Sequence, residues 1–425
     1  MTAMPQRLLP DTAAIGHDGW LEIGGVSIEA LAEEFGTPLF VYDESHLRAR
    51  CREAVAAFGP ERVIYATKAF LCMAMAKLAY DEGLLLDVAT GGELHVAMAA
   101  GVPASACTVH GNNKSGGELR QAIEAEVRYI VVDSFDELDR LDVLAAAGVG
   151  PTPRVVLRIT PGVHAHTHDF IATGQDDSKF GFNLTNGDAI RAVDHARRSS
   201  AMELIGVHCH IGSNVFEAAS FAKAAEVMAD FAVPLDLPEL ILGGGLGVAY
   251  VESEEAPTIG QWGSVLLDAC EALGVRSRVS VEPGRAIVAA AAMTVYTVGT
   301  IKEIPGVRTY VAVDGGMSDN PRPVLYGSGY ESFLPRAVGA QRDLTVRLVG
   351  KHCESGDVLA FAAWVPSDLA VGDLLAMPVT GAYGHSMGSN YNKITRPPVV
   401  FVADGEARLV VRRETFDDLL ATDLG

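Results

Sequence analysis

The sequence predicts an α/β chain, a (β/α)8 TIM-like barrel joined to a C-terminal all-β domain. Three observations carry that expectation. Short apolar runs rich in β-branched residues recur eight times between about residues 62 and 285, each stopping at glycine or a polar cluster. Helix-length segments separate most of them, which is the pattern of a closed parallel barrel. After Arg285 the helical periodicity fades, and short β-rich segments punctuated by Gly, Pro and Asp follow.

Taken in order, Leu21–Ile28 reads as a strand with a turn at Gly24-Gly25 and joins the later β-rich part, making that domain discontinuous. The expected bounds are 38–290 for the barrel, and 1–37 with 291–425 for the β domain. The barrel strands are expected at Val63–Ala69, Leu84–Ala89, Cys107–Gly111, Tyr129–Asp133, Arg154–Thr160, Leu204–Ile211, Leu240–Gly243 and Arg278–Glu282. Helical spacing of apolar residues marks Gly91–Ala100, Gly117–Glu126, Ser134–Ala147 and Gly187–Arg198. In the β domain, strands are expected at Met293–Val298, Thr309–Asp314, Leu344–Val349, Val399–Val402 and Arg408–Arg412.

With 425 residues, 49% of them hydrophobic, the chain can bury a large core. Its formal charge of -21 opposes nucleic acid, whose phosphates need a basic surface, and it does not favour an anionic membrane. Residues 1–20 hold Arg7, Asp11 and Asp18 with no sustained apolar stretch, so no secretory leader is expected. The longest uncharged apolar run, Ala286–Val298, is too short to span a bilayer. Six cysteines, without CxxC pairing or zinc-ligand spacing, fit a reduced, cytoplasmic protein.

A barrel of this kind carries its reactive groups on the carboxyl ends of its strands. Lys68 closes the first run, on the face of Ile64 and Ala66, and an amine there is suited to capturing an aldehyde cofactor such as pyridoxal phosphate as a Schiff base. Alone it reads as a solvated lysine at a strand end, and the neighbouring motifs reverse that reading. His208 and His210, two apart, face one side; they form half of a metal site without nearby carboxylate or thiolate ligands, or else offer a flat imidazole for stacking on a ring, with His210 nearer the mouth. Gly243-Gly244-Gly245 with Gly247 forms a loop whose backbone N–H groups can cradle a phosphate, but Val248 breaks the dinucleotide fingerprint. Glu282 is either an ion-pair partner of Arg285 or an anion that keeps a ring nitrogen protonated. Cys353 beside Glu354 can hand a proton to a carbanion, although a free cysteine is more commonly a buried small hydrophobe, and the residues alone leave the two readings open; Gly381-Ala-Tyr383 is the other motif of the β-rich part. His164, His166 and His168 look like a metal tract but have no matching cluster elsewhere, so no metal is expected.

Together these motifs, with Asp87-Val-Ala-Thr-Gly-Gly-Glu93, His110-Gly-Asn-Asn-Lys-Ser115, Asp314-Gly-Gly-Met317, Asn320-Pro-Arg322-Pro and Cys353-Glu-Ser-Gly-Asp357, resemble the fold type III pyridoxal-phosphate-dependent decarboxylases. The resemblance is strongest to the diaminopimelate decarboxylases and runs from Gly36 to Phe416. It implies that Lys68 carries pyridoxal 5'-phosphate, that His210 stacks on its ring, and that Glu282 pairs with its ring nitrogen. It further implies that Ser213, Gly243, Gly244, Gly245 and Tyr383 hold the phosphate, with Arg285, Arg322 and Tyr326 on substrate carboxylate. Cys353 resembles the family's proton donor and Glu354 its contact to the distal ammonium, both reaching in from a partner subunit of a homodimer.

The expected reaction is decarboxylation of meso-2,6-diaminopimelate to L-lysine. Ornithine, lysine or carboxynorspermidine decarboxylases of the same fold are the rivals, with a non-catalytic cofactor-binding homologue as a rival of another class. A racemase would place arginine where Glu282 stands, and a silent homologue would be expected to have lost Lys68 or Cys353. His385 and Gly388 depart from the family pattern, which more often has an aromatic residue and an alanine.

Overall fold

A computed structural model describes residues 3–163 and 174–425; the His164–His168 tract lies outside them. The chain divides into two compact units, one of residues 50–247 and 256–286, the other of residues 1–49, 248–255 and 287–425.

The first unit is the barrel. Its strands are β1 (Ile64–Ala66), β2 (Leu85–Val88), β3 (Cys107–Val109), β4 (Tyr129–Val132), β5 (Arg154–Thr160), β6 (Glu203–His208), β7 (Glu239–Ile241) and β8 (Arg278–Ser280). Neighbours pair in parallel in chain order. A parallel bridge between Val63 and Val281 closes the ring, with Ile64 N–H donating to Val281 O at 2.9 Å. Strands buried on both faces lack polar alternation, which is why the sequence shows them as continuous apolar runs. Most are shorter than those runs because the chain turns early: β1 stops at Ala66, and Thr67–Ala69 is a 3-10 turn. Lys68 therefore sits on the turn beyond Ile64 and Ala66, where strand alternation no longer assigns its face.

Helices begin where side chains satisfy the first free N–H groups. Thr90 caps Gly91–Ala99, and Ser134 caps Phe135–Ala146. Ser115 with Glu118, and Thr258 with Gln261, form capping boxes for Gly116–Glu124 and Ile259–Ala272.

The barrel floor is polar. Glu239, buried at the start of β7, accepts from Arg278 Nε at 2.8 Å, from the Tyr129 hydroxyl at 3.4 Å and from Ser280 Oγ. Such a carboxylate is tolerated inside because several donors share its charge.

The second unit is built on a sheet ordered Val358–Val365, Leu344–Val349, Arg308–Val313, Ala292–Ile304, Leu39–Asp43, Val399–Ala403, Glu406–Val411, with Leu374–Pro378 also on Ala292–Ile304. The N-terminal strand that joins this sheet is Leu39–Asp43, not the Leu21–Ile28 segment. Leu39–Asp43 is buried at every position and pairs with Ala292–Ile304 and Val399–Ala403, although the expected bounds placed it with the barrel. Leu21–Ile23 and Val26–Ser27 instead form a hairpin in a three-stranded sheet with Ala14–Ile15. Its turn is Gly24-Gly25, at φ +58° and +78°. Among the described residues no helix is long and apolar enough to cross a membrane.

Gly206, at a register shift in β6, lies so close to its neighbour that a Cβ would stand 2.2 Å from Glu239 O. Gly206→Ala is expected to cost about 2–4 kcal/mol in urea denaturation, as backbone must move. Gly117→Ala, whose Cβ would meet only Ser115 Oγ at 3.8 Å, is the control and should be neutral or slightly stabilising.

Candidate active site

The first polar side chains beyond the strand ends gather on one rim of the barrel unit. Lys68 is exposed between buried Thr67 and Ala69, and Thr67 Oγ1 donates to Asp87 O at 2.7 Å, tying the turn to β2. Glu282 lies two residues past β8 and is buried. His110, just after β3, donates from Nε2 to Glu282 Oε1 at 2.8 Å; His208, the last residue of β6, donates from Nε2 to Oε2 at 2.9 Å. The two rings meet edge to face with centroids 5.0 Å apart, and His110 Nε2 lies 3.8 Å from Asp87 Oδ1.

Burial pushes the Glu282 carboxyl up, but the charges and hydrogen bonds of His110 and His208 outweigh it and hold the group well below the usual carboxylate range. The two imidazoles differ. Burial opposes charge on His110, yet Asp87 and Glu282 together raise its pKa; His208 is pushed down to about 4 by burial, with His110 adding to the effect. Glu282 is thus an anion paired with one histidine that favours its proton and one that stays neutral. His110, His208 and Glu282 each place a ligand-type atom within 4.8 Å of the others, and the contacts themselves are two N–H donors on one carboxylate.

His210 is also held far below its ordinary value, by burial and then by the Lys68 charge. Gly244 N–H donates to its Nδ1 at 3.3 Å, so the ring proton sits on Nε2. The glycine loop is pressed against these residues. A Cβ on Gly244 would lie 2.0 Å from Glu282 O, and one on Gly245 2.0 Å from Gly212 O; Gly243 and Gly245 are at φ +63° and +105°. Arg285 donates from Nη2 to Ser213 Oγ at 2.8 Å.

Lys68, His210, Ser213, Gly243, Gly244, Gly245, Glu282 and Arg285 belong to the barrel unit, and Arg322, Tyr326, Cys353, Glu354 and Tyr383 to the β unit. There Arg322 is buried, lies 4.0 Å over the Tyr250 ring and donates from Nη1 to the Tyr330 hydroxyl. Tyr326 is half-buried, and Tyr383 adopts a left-handed φ of +59°. Cys353 and Glu354 are exposed on one loop, and Glu354 lines a cavity of about 220 Å³ with Met317, Val324, Gly356 and Tyr391. His385, where an aromatic residue was expected, sits edge-on to Phe40 with centroids 5.7 Å apart. Burial, with Arg396 adding, pushes it down to about 3, so it packs as a neutral ring.

Residues 44–289 match the family described as pyridoxal-dependent decarboxylase, pyridoxal binding domain. The chain is 48% identical to the diaminopimelate decarboxylase of Bacillus subtilis (strain 168), over 98% of both chains. It is 46% identical to that of Mycobacterium tuberculosis (strain ATCC 25618 / H37Rv), covering 95% of this chain and 94% of the relative. Its fold matches the crystal structure of diaminopimelate decarboxylase from M. jannaschii in co-complex with L-lysine, with a TM-score of 0.90, 34% identity and 98% of each chain covered. The chain belongs to the diaminopimelate decarboxylase family.

Diaminopimelate decarboxylases depend on pyridoxal phosphate, and the barrel rim fits that cofactor. An exposed amine, a neutral imidazole, a buried ionised carboxylate and a loop too tight for any Cβ stand together. A carboxylate offers about four lone-pair sites, so two imidazole donors leave Glu282 able to accept from a ring N–H. Asp87 and His110 were quoted in motifs but given no site role by the sequence reading, and His208 was weighed only beside His210, although each stands on or just beyond a barrel strand. Residue type after a strand end was the available signal for His110.

Burial, opposed by His110 and reinforced by Glu282, raises Asp87 from 3.8 to about 6. A carboxyl raised on folding destabilises the fold once it ionises, so the cost is absent at low pH and complete above about 6. Asp87→Asn should therefore gain melting temperature relative to wild type as pH rises from about 4 to about 8. A difference that stays flat over that range contradicts the assignment.

Proposed function

We infer that the protein is a pyridoxal-phosphate-dependent carboxy-lyase that converts meso-2,6-diaminopimelate to L-lysine and carbon dioxide. The observation that carries the chemistry is the buried Glu282 carboxylate, kept ionised by two imidazoles on the same rim as Lys68. Near full-length identity to the Bacillus subtilis diaminopimelate decarboxylase supports the substrate. So does the fold shared with the M. jannaschii diaminopimelate decarboxylase, which was crystallised in complex with L-lysine.

Pyridoxal phosphate, when bound, supplies an electron sink for the pair released as carbon dioxide leaves. In our reading Lys68 is its covalent anchor, and Ser213, Gly243, Gly244, Gly245 and Tyr383 hold its phosphate. His210, neutral and fixed by Gly244, offers a flat face to the ring. Glu282 holds a proton at the ring nitrogen, which an arginine there would repel. Arg285, Arg322 and Tyr326 bind substrate carboxylate; the planar guanidinium of Arg322, laid over Tyr250, is pre-set for a two-pronged contact. Cys353 delivers the proton that replaces the lost carboxylate, and Glu354 pairs with the distal ammonium. A substrate with an amino-acid group at its far end needs that combination of cation and anion, whereas ornithine or lysine, lacking a distal carboxylate, does not. We further propose a homodimer in which Cys353 and Glu354 serve the partner subunit's barrel.

Offered separately, meso-diaminopimelate should release carbon dioxide far faster than ornithine, lysine or arginine; preference for ornithine or lysine would transfer the assignment to the polyamine-pathway enzymes. Borohydride reduction of the yellow protein should fix the cofactor on the peptide containing Lys68, and a label elsewhere rejects that anchor. Cys353→Ala should retain cofactor absorbance while kcat falls by about 10²-fold or more. An unchanged rate removes the thiol from the mechanism.

A further inference from the structure

The loop that carries Cys353 is fastened at two points. One is Asp357, buried, whose Oδ1 accepts Met317 N–H at 2.7 Å and whose Oδ2 accepts His352 N–H at 2.9 Å. The other comes from a segment 39 residues further along: Asn392 Oδ1 accepts Cys353 N–H at 3.0 Å and faces His352 Nδ1 at 3.3 Å. A backbone N–H can only donate, so the Asn392 atom facing Cys353 is the carboxamide oxygen and the amide orientation is fixed. His352 Nδ1 must then carry hydrogen, while its Nε2 meets the Ser318 hydroxyl at 2.8 Å. Its ring stacks on Tyr391 with centroids 5.3 Å apart and planes 24° from parallel.

Asn392 makes these contacts from a strained backbone. It sits at φ +53° and ψ +23°, followed by Lys393 at φ +57°, both in the left-handed region. Asparagine tolerates that region better than most residues, but a conformation of this kind persists only where surrounding contacts enforce it. The contacts here lead to the residue before the thiol and to the thiol's own backbone.

We propose that Asn392 is a positioning residue for Cys353, its carboxamide oxygen holding the Cys353 backbone and the His352 ring in one place so that the thiol points from a fixed base. A cysteine side chain has one rotatable bond between Cα and sulfur, so a fixed backbone leaves Sγ three staggered positions. A loose backbone multiplies them. Proton transfer requires the donor within hydrogen-bond reach of the accepting atom, and a misplacement of about 1 Å can cost on the order of 10²-fold in rate. This rests on the reading of Cys353 as the proton donor.

The test uses holoenzyme. Asn392→Gly keeps the left-handed backbone and removes the carboxamide; Asn392→Asp keeps an acceptor oxygen. Asn392→Gly should lower kcat by about tenfold or more with KM for meso-diaminopimelate changed by less than about twofold. Amide exchange at Cys353 should accelerate by about tenfold or more. Iodoacetamide, for which Cys353 is the one exposed thiol of six, should react with it at an altered rate. Asn392→Asp should restore most of kcat and of the amide protection. A kcat within about twofold of wild type in Asn392→Gly, or a fall in kcat without faster exchange at Cys353, overturns the proposal. If Asn392→Gly does not fold, wild type decides: a Cys353 amide exchanging as fast as an unprotected one overturns the proposal, and a protected one together with Asn392→Asp activity supports it. Cys353→Ala separates the two readings, because full activity there sinks the proton-donor assignment, whereas its collapse beside an active Asn392→Gly sinks only the role of Asn392.

Discussion

A buried carboxylate that must stay ionised is the constraint around which the barrel rim is arranged. Removing Glu282 from water favours its neutral acid, and a neutral acid cannot hold a proton on a neighbouring ring nitrogen. Two imidazole N–H groups, one on each oxygen, reverse that preference. They come from the ends of β6, one strand beyond β7 from β8, and of β3, which is five strands away along the sheet and meets β8 because the sheet closes into a ring. An open sheet of the same strands would not assemble this carboxylate. The glycine loop after β7 belongs to the same arrangement, since Gly244 packs against the Glu282 carbonyl while its N–H orients His210. Backbone packing and ring electrostatics are therefore set by one set of contacts.

The two ends of the barrel treat buried charge differently. At the floor, Glu239 is saturated by Arg278, Tyr129 and Ser280, which leaves it little capacity for a further partner. At the mouth, Glu282 keeps spare acceptor sites, His208 Nδ1 is a buried nitrogen without a partner among the described residues, and Asp87 is held near a proton it can gain or lose at about 6. Saturation makes a structural ion pair. Incomplete saturation at a strand's carboxyl end, beside an exposed amine, marks a place where a ligand completes the set.

Much of this was legible in the sequence, and the misses have physical causes. Runs such as Arg154–Thr160 and Leu344–Val349 gave their strands to the residue, because β-branched apolar stretches bounded by turns admit few alternatives. Leu39–Asp43 was not read as a strand and fell within the expected barrel bounds; buried at every position, it carries no alternation to say which sheet it enters, and only its partners decide. For Lys68, alternation was extended past Ala66 into a 3-10 turn, where it no longer assigns a face. Glu282 and His210 were legible from type and position. The pairing of Glu282 with His110 and His208 was not, since hydrogen bonds spanning 172 and 74 residues leave no local pattern.

The cysteines show why the two kinds of chemistry reside in different places. Burial pushes the thiols of Cys107 and Cys209 up to about 12 and that of Cys270 to about 11, so these groups hold their protons as inert apolar side chains. Of six cysteines Cys353 alone is exposed, which suits the proton-donor role proposed for it, since such a donor must be refilled after each turnover. The role proposed for Glu282 has the opposite need, since water around the carboxylate would weaken its hold on a ring nitrogen. One environment cannot satisfy both. In the function proposed above, the buried carboxylate of the barrel unit and the exposed thiol of the β unit meet those two needs separately. Cys353 itself is exposed, and its loop is held by hydrogen bonds to Asp357 and Asn392 and by the buried His352 ring stacked on Tyr391.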